Sequence, residues 1–202
     1  MPGQPIKIIV TGGNGQLGSE LKKRDRDFSH NMIFTDLPEL DLTDKESSIS
    51  FIENHQPGFV INCAGYTAVD KAEEEKDKAR LINVSAVENL AIACNKSGAV
   101  FIHISTDFVF PGKAGYPLKE NDPTDPVNYY GLTKLDGENT ARKFCEKTLI
   151  IRTSWLYSAY GNNFVKTMLR VAQFRLAMFV VAYRNVEFRN SFSRHNRLEE
   201  SD

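Results

Sequence analysis

Gly12-Gly13-Asn14-Gly15-Gln16-Leu17-Gly18 is the stretch on which the fold turns. It follows an apolar run, Ile6 to Thr11, that reads as a buried parallel strand. It precedes Gln16 to Lys23, which reads as the first turns of a helix. Gly12, Gly15 and Gly18 fall at a G-x-x-G-x-x-G spacing. The first permits a tight strand-to-helix turn, the second lets backbone approach a pyrophosphate, and the third lets the helix sit close to the sheet. The helix N-terminus then presents free N–H groups and the positive end of its dipole to phosphates. The bare pattern also suits a glycine-rich turn with no ligand. The strand before it and the helix after it favour a dinucleotide.

Working outward, the 202 residues bound the chain to one domain, or one domain and a fragment of another. The net charge of -1, with signs interleaved, argues against a nucleic-acid or membrane surface as the main partner. Cys63, Cys94 and Cys145 are scattered, with no C-x-x-C and no His at metal spacing. They read as reduced, half-buried thiols of a cytoplasmic protein. Met1 to Pro5 lacks a basic and apolar leader, and no stretch is long and apolar enough to span a bilayer.

Strand and helix signals alternate along the chain. Met32 to Thr35 reads as a strand ending at Asp36. That acid lies roughly 20 residues past the glycines, where a carboxylate accepts from an adenosine ribose. It suits a loop acid or helix cap equally. As a ribose ligand it would favour NADH over NADPH, because it would repel a 2′-phosphate. Thr43 or Asp44 is a helix cap for about 45–54. Phe59 to Asn62 is the next strand, opening into the small residues of Cys63-Ala64-Gly65-Tyr66-Thr67. Asp70 to Lys78 reads as a solvated helical face, and Ala79 to Asn95 as an amphipathic helix with Gly98 just past its end.

Val100 to Ser105 is a further strand, with His103 as a packed side chain and Thr106 and Asp107 at its carboxyl end. In an open α/β sheet that edge is where ligands bind. Phe108 to Asn128 is a long Pro/Gly-rich loop of the kind that carries function. Tyr129 to Phe144 is helical, Leu149 to Arg152 is a strand, and Asn162 to about Arg170 is an amphipathic helix capped by Asn162 or Asn163.

Tyr130 and Lys134 stand one helical turn apart on one face. An ammonium beside a phenol favours the phenolate and eases proton exchange. Thr106 is placed to donate to the same carbonyl oxygen that Tyr130 protonates, while a dinucleotide delivers hydride to the carbon. A Tyr-x-x-x-Lys pair alone is common on helix surfaces. The ordered set of glycine loop, Asp36, strand-end Ser105-Thr106 and Tyr-x-x-x-Lys is far more specific.

That set resembles the extended short-chain dehydrogenase/reductase superfamily and, within it, the dTDP-4-dehydrorhamnose reductase family. The likeness is carried by Gly12 to Gly18, NCAGYTAVDKAE at 62–73, STDFVFPG at 105–112, PVNYYGLTKLDGE at 126–138, RTSWLY at 152–157 and NFVKTML at 163–169. It implies a Rossmann-like α/β fold, a doubly wound parallel sheet with helices on both faces. It implies reduction of the C4 ketone of dTDP-4-dehydro-L-rhamnose by NADPH or NADH. On this chain it places the cofactor on Gly12, Gly15, Gln16, Leu17, Gly18, Asp41, Leu42, Gly65, Tyr66 and Thr67. It makes Tyr130 the proton donor, Lys134 its helper and ribose ligand, and Thr106 the carbonyl partner. Asp107 and Trp155 would meet the sugar nucleotide; Trp155 also suits a core aromatic. A homodimer fits the family. Some members bind Mg2+ through glutamates between subunits, and Glu20 matches one such position, but the remaining ligands are not found.

The likeness runs from Ile6 to about Ala172, a dinucleotide-binding unit over residues 1–172. Residues 173–202 depart from it: an apolar run, Phe174 to Tyr183, then a polar Arg-rich tail. A shortened gene product lacking most of the substrate lobe is the reading preferred over a divergent C-terminus. It predicts an exposed sheet edge and an exposed apolar helix face. Two other functions stay open: a non-catalytic dinucleotide-binding module acting through a protein partner, and a reductase of another nucleotide-4-ketosugar.

Overall fold

A computed structural model of the chain describes residues 6–28, 31–112 and 116–172. The apolar run of 174–183, the tail after it and the N-terminal five residues lie outside these. Among the described residues five strands form one parallel sheet: β1 (Lys7–Thr11), β2 (Asn31–Thr35), β3 (Phe59–Asn62), β4 (Val100–Thr106) and β5 (Thr148–Thr153). Their order is β2-β1-β3-β4-β5. The chain moves one way from β1 to β2, then returns to place β3 on the other side of β1. The reversal opens a crevice between β1 and β3 at their carboxyl ends, the place where such sheets bind ligands.

The helices are α1 (Gln16–Phe28), α2 (Lys45–His55), α3 (Lys76–Arg80), α4 (Ala86–Ser97), α5 (Tyr129–Phe144) and α6 (Phe164–Ala172). Their ends follow local chemistry. Asp44 caps α2 by accepting from the Ser47 N–H at 2.9 Å. Gly98 closes α4 at φ +74 in the left-handed region. Asn128 caps α5 through the Gly131 N–H at 2.8 Å, and Asn163 caps α6 through the Lys166 N–H at 3.1 Å.

α2, α4 and α5 pack side by side against one face of the sheet. The core there holds Ile9, Ile52, Val60, Leu90 and Phe101, each fully buried. Full burial of such a side chain is worth about 1.5–3 kcal/mol. Cys94 and Cys145 belong to this core, so they are fully rather than half buried; only Cys63 is partly exposed. The difference arises because α4 and the end of α5 close over both thiols.

The other face differs near β5. Leu149 and Ile151 point away from the core and are 51% and 43% exposed. β5 is also the sheet's edge among the described residues. α6 buries no side chain, and its Val165 and Leu169 are exposed. Among the described residues, β5 has no strand on its outer side and α6 carries exposed apolar side chains, as the sequence leads one to expect.

Residues 70–85 are more structured than a solvated face. A 3-10 turn, Asp70–Glu73, buries Ala72. α3 then runs into one π-helical turn, Leu81–Ser85, before α4. Among the described residues no helix is long and apolar enough to cross a membrane.

Candidate active site

Three segments meet at the carboxyl edge of the sheet: the glycine loop after β1, residues 63–67 after β3, and the tip of β4. Gly12 takes φ +68, where a Cβ would lie 2.5 Å from the Ala64 backbone nitrogen. The two loops therefore touch at the crevice, and only glycine fits. A Cβ on Gly18 would lie 2.3 Å from the Gly12 carbonyl, so that glycine serves the close packing of α1. Gly15 differs. A Cβ there would meet only the Gly12 oxygen, at 3.2 Å, and otherwise open space. The fold's own demand for glycine at 15 is slight, since only the Gly12 carbonyl would have to give, by a few tenths of an ångström. The N–H groups of Gly13, Asn14 and Gly15 themselves donate to Thr35, Asp36 and Gly12. A ligand lying on the loop backbone would demand glycine here, and the N-terminal turn of α1 beside the bare Gly15 suits a dinucleotide pyrophosphate. Gln16 and Leu17 form the first helical turn beside it.

Asp36 stands at the end of β2, and each carboxylate oxygen takes one protein N–H, which leaves further acceptor sites on both. It accepts from the Asn14 N–H at 3.0 Å and the Leu37 N–H at 2.9 Å. It thus braces the glycine loop and caps no helix. Asp41 accepts from the Thr43 N–H at 2.9 Å and the Thr43 hydroxyl at 2.7 Å. These bonds hold its carboxyl below the usual value. The Leu42 carbonyl accepts from the Asn89 amide at 2.9 Å, tying this loop to α4.

Asn83, on the π-helical turn, organises the second loop. Its side chain accepts from the Tyr66 N–H at 2.9 Å and donates to the Tyr66 carbonyl at 3.1 Å and the Thr133 hydroxyl at 3.0 Å. The widened turn aims this buried amide inward, a common use of such turns at functional sites. Gly65 lies between Asn83 and the Lys134 amine, with a Cβ position 3.4 Å from one and 3.9 Å from the other. Thr67 is exposed to solvent just beyond. Burial pushes the Cys63 thiol up to about 12, so it stays protonated and is no nucleophile.

Thr106 is the last residue of β4, and its hydroxyl accepts from the Phe108 N–H at 3.2 Å. α5 lies directly on the turn that follows, since a Cβ on Gly131 would be 2.3 Å from the Phe108 carbonyl. This contact sets Tyr130 beside Thr106, and the Tyr130 ring meets Phe108 edge-on at 5.6 Å. Burial raises the Tyr130 phenol above its ordinary value of 10, a hydrogen bond with Thr106 opposes this, and Asp107 adds to the rise. The expected lowering by Lys134 is not what this site displays. The Lys134 amine is turned toward β4, donating to the Ile104 carbonyl at 2.7 Å. Burial lowers it to about 8, with Glu138 opposing. An ammonium so engaged leaves burial to govern the phenol.

Tyr130, Lys134 and Thr106 are thus brought together, each under a tenth exposed. His103 is packed and fully buried, bonded to Asn62 at 3.1 Å, and its imidazole is held well below the ordinary value by burial. Trp155 is no core aromatic. It is 47% exposed, at φ +51, stacked on Tyr157 at 6.2 Å just past the tip of β5. β5 ends beside β4, Thr153 opposite Thr106, so Trp155 leaves the sheet at the same edge as Thr106. Glu20 accepts from the Ser158 hydroxyl at 2.8 Å. No cluster able to hold a metal occurs among the described residues.

The sequence reading missed three supports. Glu73, in the charged stretch taken for a solvated face, accepts from the Tyr129 N–H at 2.8 Å and so holds the first turn of α5. Asn83 and Glu138 are the others. A polar residue inside an apolar helical stripe was the available signal for Asn83, and the four-residue spacing from Lys134 was the signal for Glu138.

A family model described as "RmlD substrate binding domain" matches residues 6–186. The chain belongs to this family. It is 43% identical over 180 residues to dTDP-4-dehydrorhamnose reductase of Escherichia coli K12, covering 87% of this chain and 60% of that protein. It is likewise similar to a solved dTDP-4-dehydrorhamnose reductase of Clostridium acetobutylicum, with TM-score 0.80 and 45% identity over 83% of this chain and 60% of that one. A third relative is the Bacillus anthracis enzyme solved in complex with NADP, with TM-score 0.82 and 39% identity over 85% and 61% of the two chains. The chain therefore spans about 60% of the length of these relatives. The Rossmann-like sheet of this family is the one described above, in agreement with the resemblance drawn from the sequence.

Proposed function

We propose that residues up to 172 form the dinucleotide-binding and catalytic part of a ketosugar reductase acting on dTDP-4-dehydro-L-rhamnose. The observation that carries this reading is the convergence of Thr106, Tyr130 and Lys134 beside Gly65, whose loop packs against Gly12 of the glycine loop. The named activity of the relatives and the NADP held by one of them support it. NADPH or NADH would supply the hydride.

The chain's own residues do the rest. Tyr130, protonated at neutral pH and held more firmly so by burial, gives its proton to the C4 carbonyl oxygen. The Thr106 hydroxyl donates a hydrogen bond to the same oxygen and stabilises charge developing there. Lys134 spends one N–H on Ile104 and has two left for a ribose hydroxyl. Gly12, Gly15, Gln16, Leu17 and Gly18 hold the pyrophosphate, with Asp36 bracing their loop. Asp41, Leu42, Gly65, Tyr66 and Thr67 line the remaining course of the dinucleotide. Asp107 and Trp155 meet the sugar nucleotide at the mouth.

The test is direct. The purified chain is titrated with NADPH and NADH, then given the ketosugar while nicotinamide absorbance is followed. Cofactor consumption dependent on the ketosugar supports the proposal. Tight dinucleotide binding with no consumption would favour a binding module instead, and faster turnover of a different nucleotide-4-ketosugar would reassign the substrate.

A further inference from the structure

Tyr130, Lys134 and Glu138 recur every fourth residue, so all three face β4 from successive turns of α5. Glu138 is fully buried, yet it carries a carboxylate. Its Oε1 accepts from the Ser105 hydroxyl at 2.6 Å and from Arg152 Nε at 2.8 Å. Its Oε2 accepts from Arg152 Nη2 at 2.7 Å. Arg142 approaches the same oxygen at 3.7 Å from one turn further along α5. Arg152 comes from β5, lies over the Phe110 ring at 4.8 Å and donates to the Glu120 carbonyl at 3.0 Å.

One carboxylate therefore ties together α5, β4, β5 and the loop after Thr106. As a source of stability alone this is a poor choice, since two well-packed apolar side chains would serve as well or better than a buried ion pair. What ions and hydrogen bonds add is register: they have one geometry, where an apolar contact tolerates sliding. The element fixed here is Ser105, whose backbone continues directly into Thr106.

We propose that Glu138 is a positioning residue: clamped by Arg152, it anchors Ser105 and so sets the distance between the Thr106 hydroxyl and the Tyr130 phenol. This rests on the roles given above to Thr106 and Tyr130. The groups facing Tyr130 are Thr106 and Asp107; those facing Glu138 are Ser105, Arg142, Arg152 and, one turn back, Lys134. A slack Ser105 lets Thr106 drift. The hydrogen bond that restrains the phenol then weakens, and Tyr130 titrates higher.

Ser105→Ala removes the link and leaves the Glu138–Arg152 pair intact. In the 202-residue chain it should raise the titration midpoint of Tyr130, read from tyrosine ring-carbon NMR with the resonance identified by Tyr130→Phe. It should lower kcat about 10-fold, with KM and NADPH affinity each within about twofold. Glu138→Gln should act alike, and the double variant should be no worse than the poorer single, because both cut one chain of contacts. Should Glu138→Gln fail to fold, Ser105→Ala alone decides. An unmoved Tyr130 titration in Ser105→Ala, or an unchanged kcat, overturns the proposal. A parent chain that never reduces the ketosugar, with the Tyr130 shift present in Ser105→Ala, overturns the functional reading and leaves the positioning role standing.

Discussion

The Lys134 amine donates to the Ile104 carbonyl at 2.7 Å, two residues before Thr106 on β4. The lysine is 5% exposed, and burial brings it from an ordinary 10.5 to about 8. Its charge is thus costly to the fold and is kept close to Thr106 and Tyr130.

That cost has a sign. The folded state gives up the Lys134 proton near pH 8, whereas the unfolded chain keeps it to about 10.5. Between these values the unfolded state binds more protons, so this group makes the fold more stable as pH rises. Lys134→Met removes the effect. The stability of the parent relative to Lys134→Met should climb by about 3 kcal/mol from below pH 8 to above pH 10.5. Denaturant unfolding of both proteins across that range checks it; a flat difference would contradict the burial argument.

The two glycines of the first helical approach should separate cleanly. Gly15→Val meets little protein, so melting should fall by no more than about 1 kcal/mol in stability terms, while NADPH affinity falls at least about 100-fold. Gly18→Ala drives a methyl into the Gly12 carbonyl and should destabilise the fold by about 3 kcal/mol. Melting curves and dinucleotide titration read both.

Asn83→Ala leaves the Tyr66 N–H and carbonyl without the partners they have now. Stranding buried backbone groups costs about 2–4 kcal/mol in all. The urea midpoint should drop accordingly, and dinucleotide affinity with it, because residues 64–67 lose their anchor.

On α6, Val165 and Leu169 are exposed. Val165→Glu with Leu169→Glu should change stability by less than about 0.5 kcal/mol. The pair should reduce self-association in light scattering, since it interrupts an open apolar face. A large loss of stability would mean that this face is covered.

The strands and most helix limits were legible because each rests on local chemistry. α5 begins after Asn128 and α2 after Asp44 because those side chains cap the first turns. The glycine loop was legible because three separate steric demands share one spacing. The supports of the site were not. Glu73, Asn83 and Glu138 act through partners 56, 17 and 33 residues away, and nothing in a single sequence pairs such positions. Asp36 was placed correctly at the strand end, but its bond to Asn14 depends on how the loop curls back. The tilt of the Lys134 amine toward Ile104, and with it the state of the Tyr130 phenol, depends on burial that only the folded arrangement sets.

The account stands or falls on the phenol beside Thr106. The decisive measurement compares the chain with Tyr130→Phe: NADPH affinity first, then ketosugar-dependent loss of nicotinamide absorbance. The account expects equal NADPH affinity and turnover reduced by at least about 100-fold in Tyr130→Phe. Equal turnover in the two proteins, or loss of NADPH binding in the variant, would contradict it.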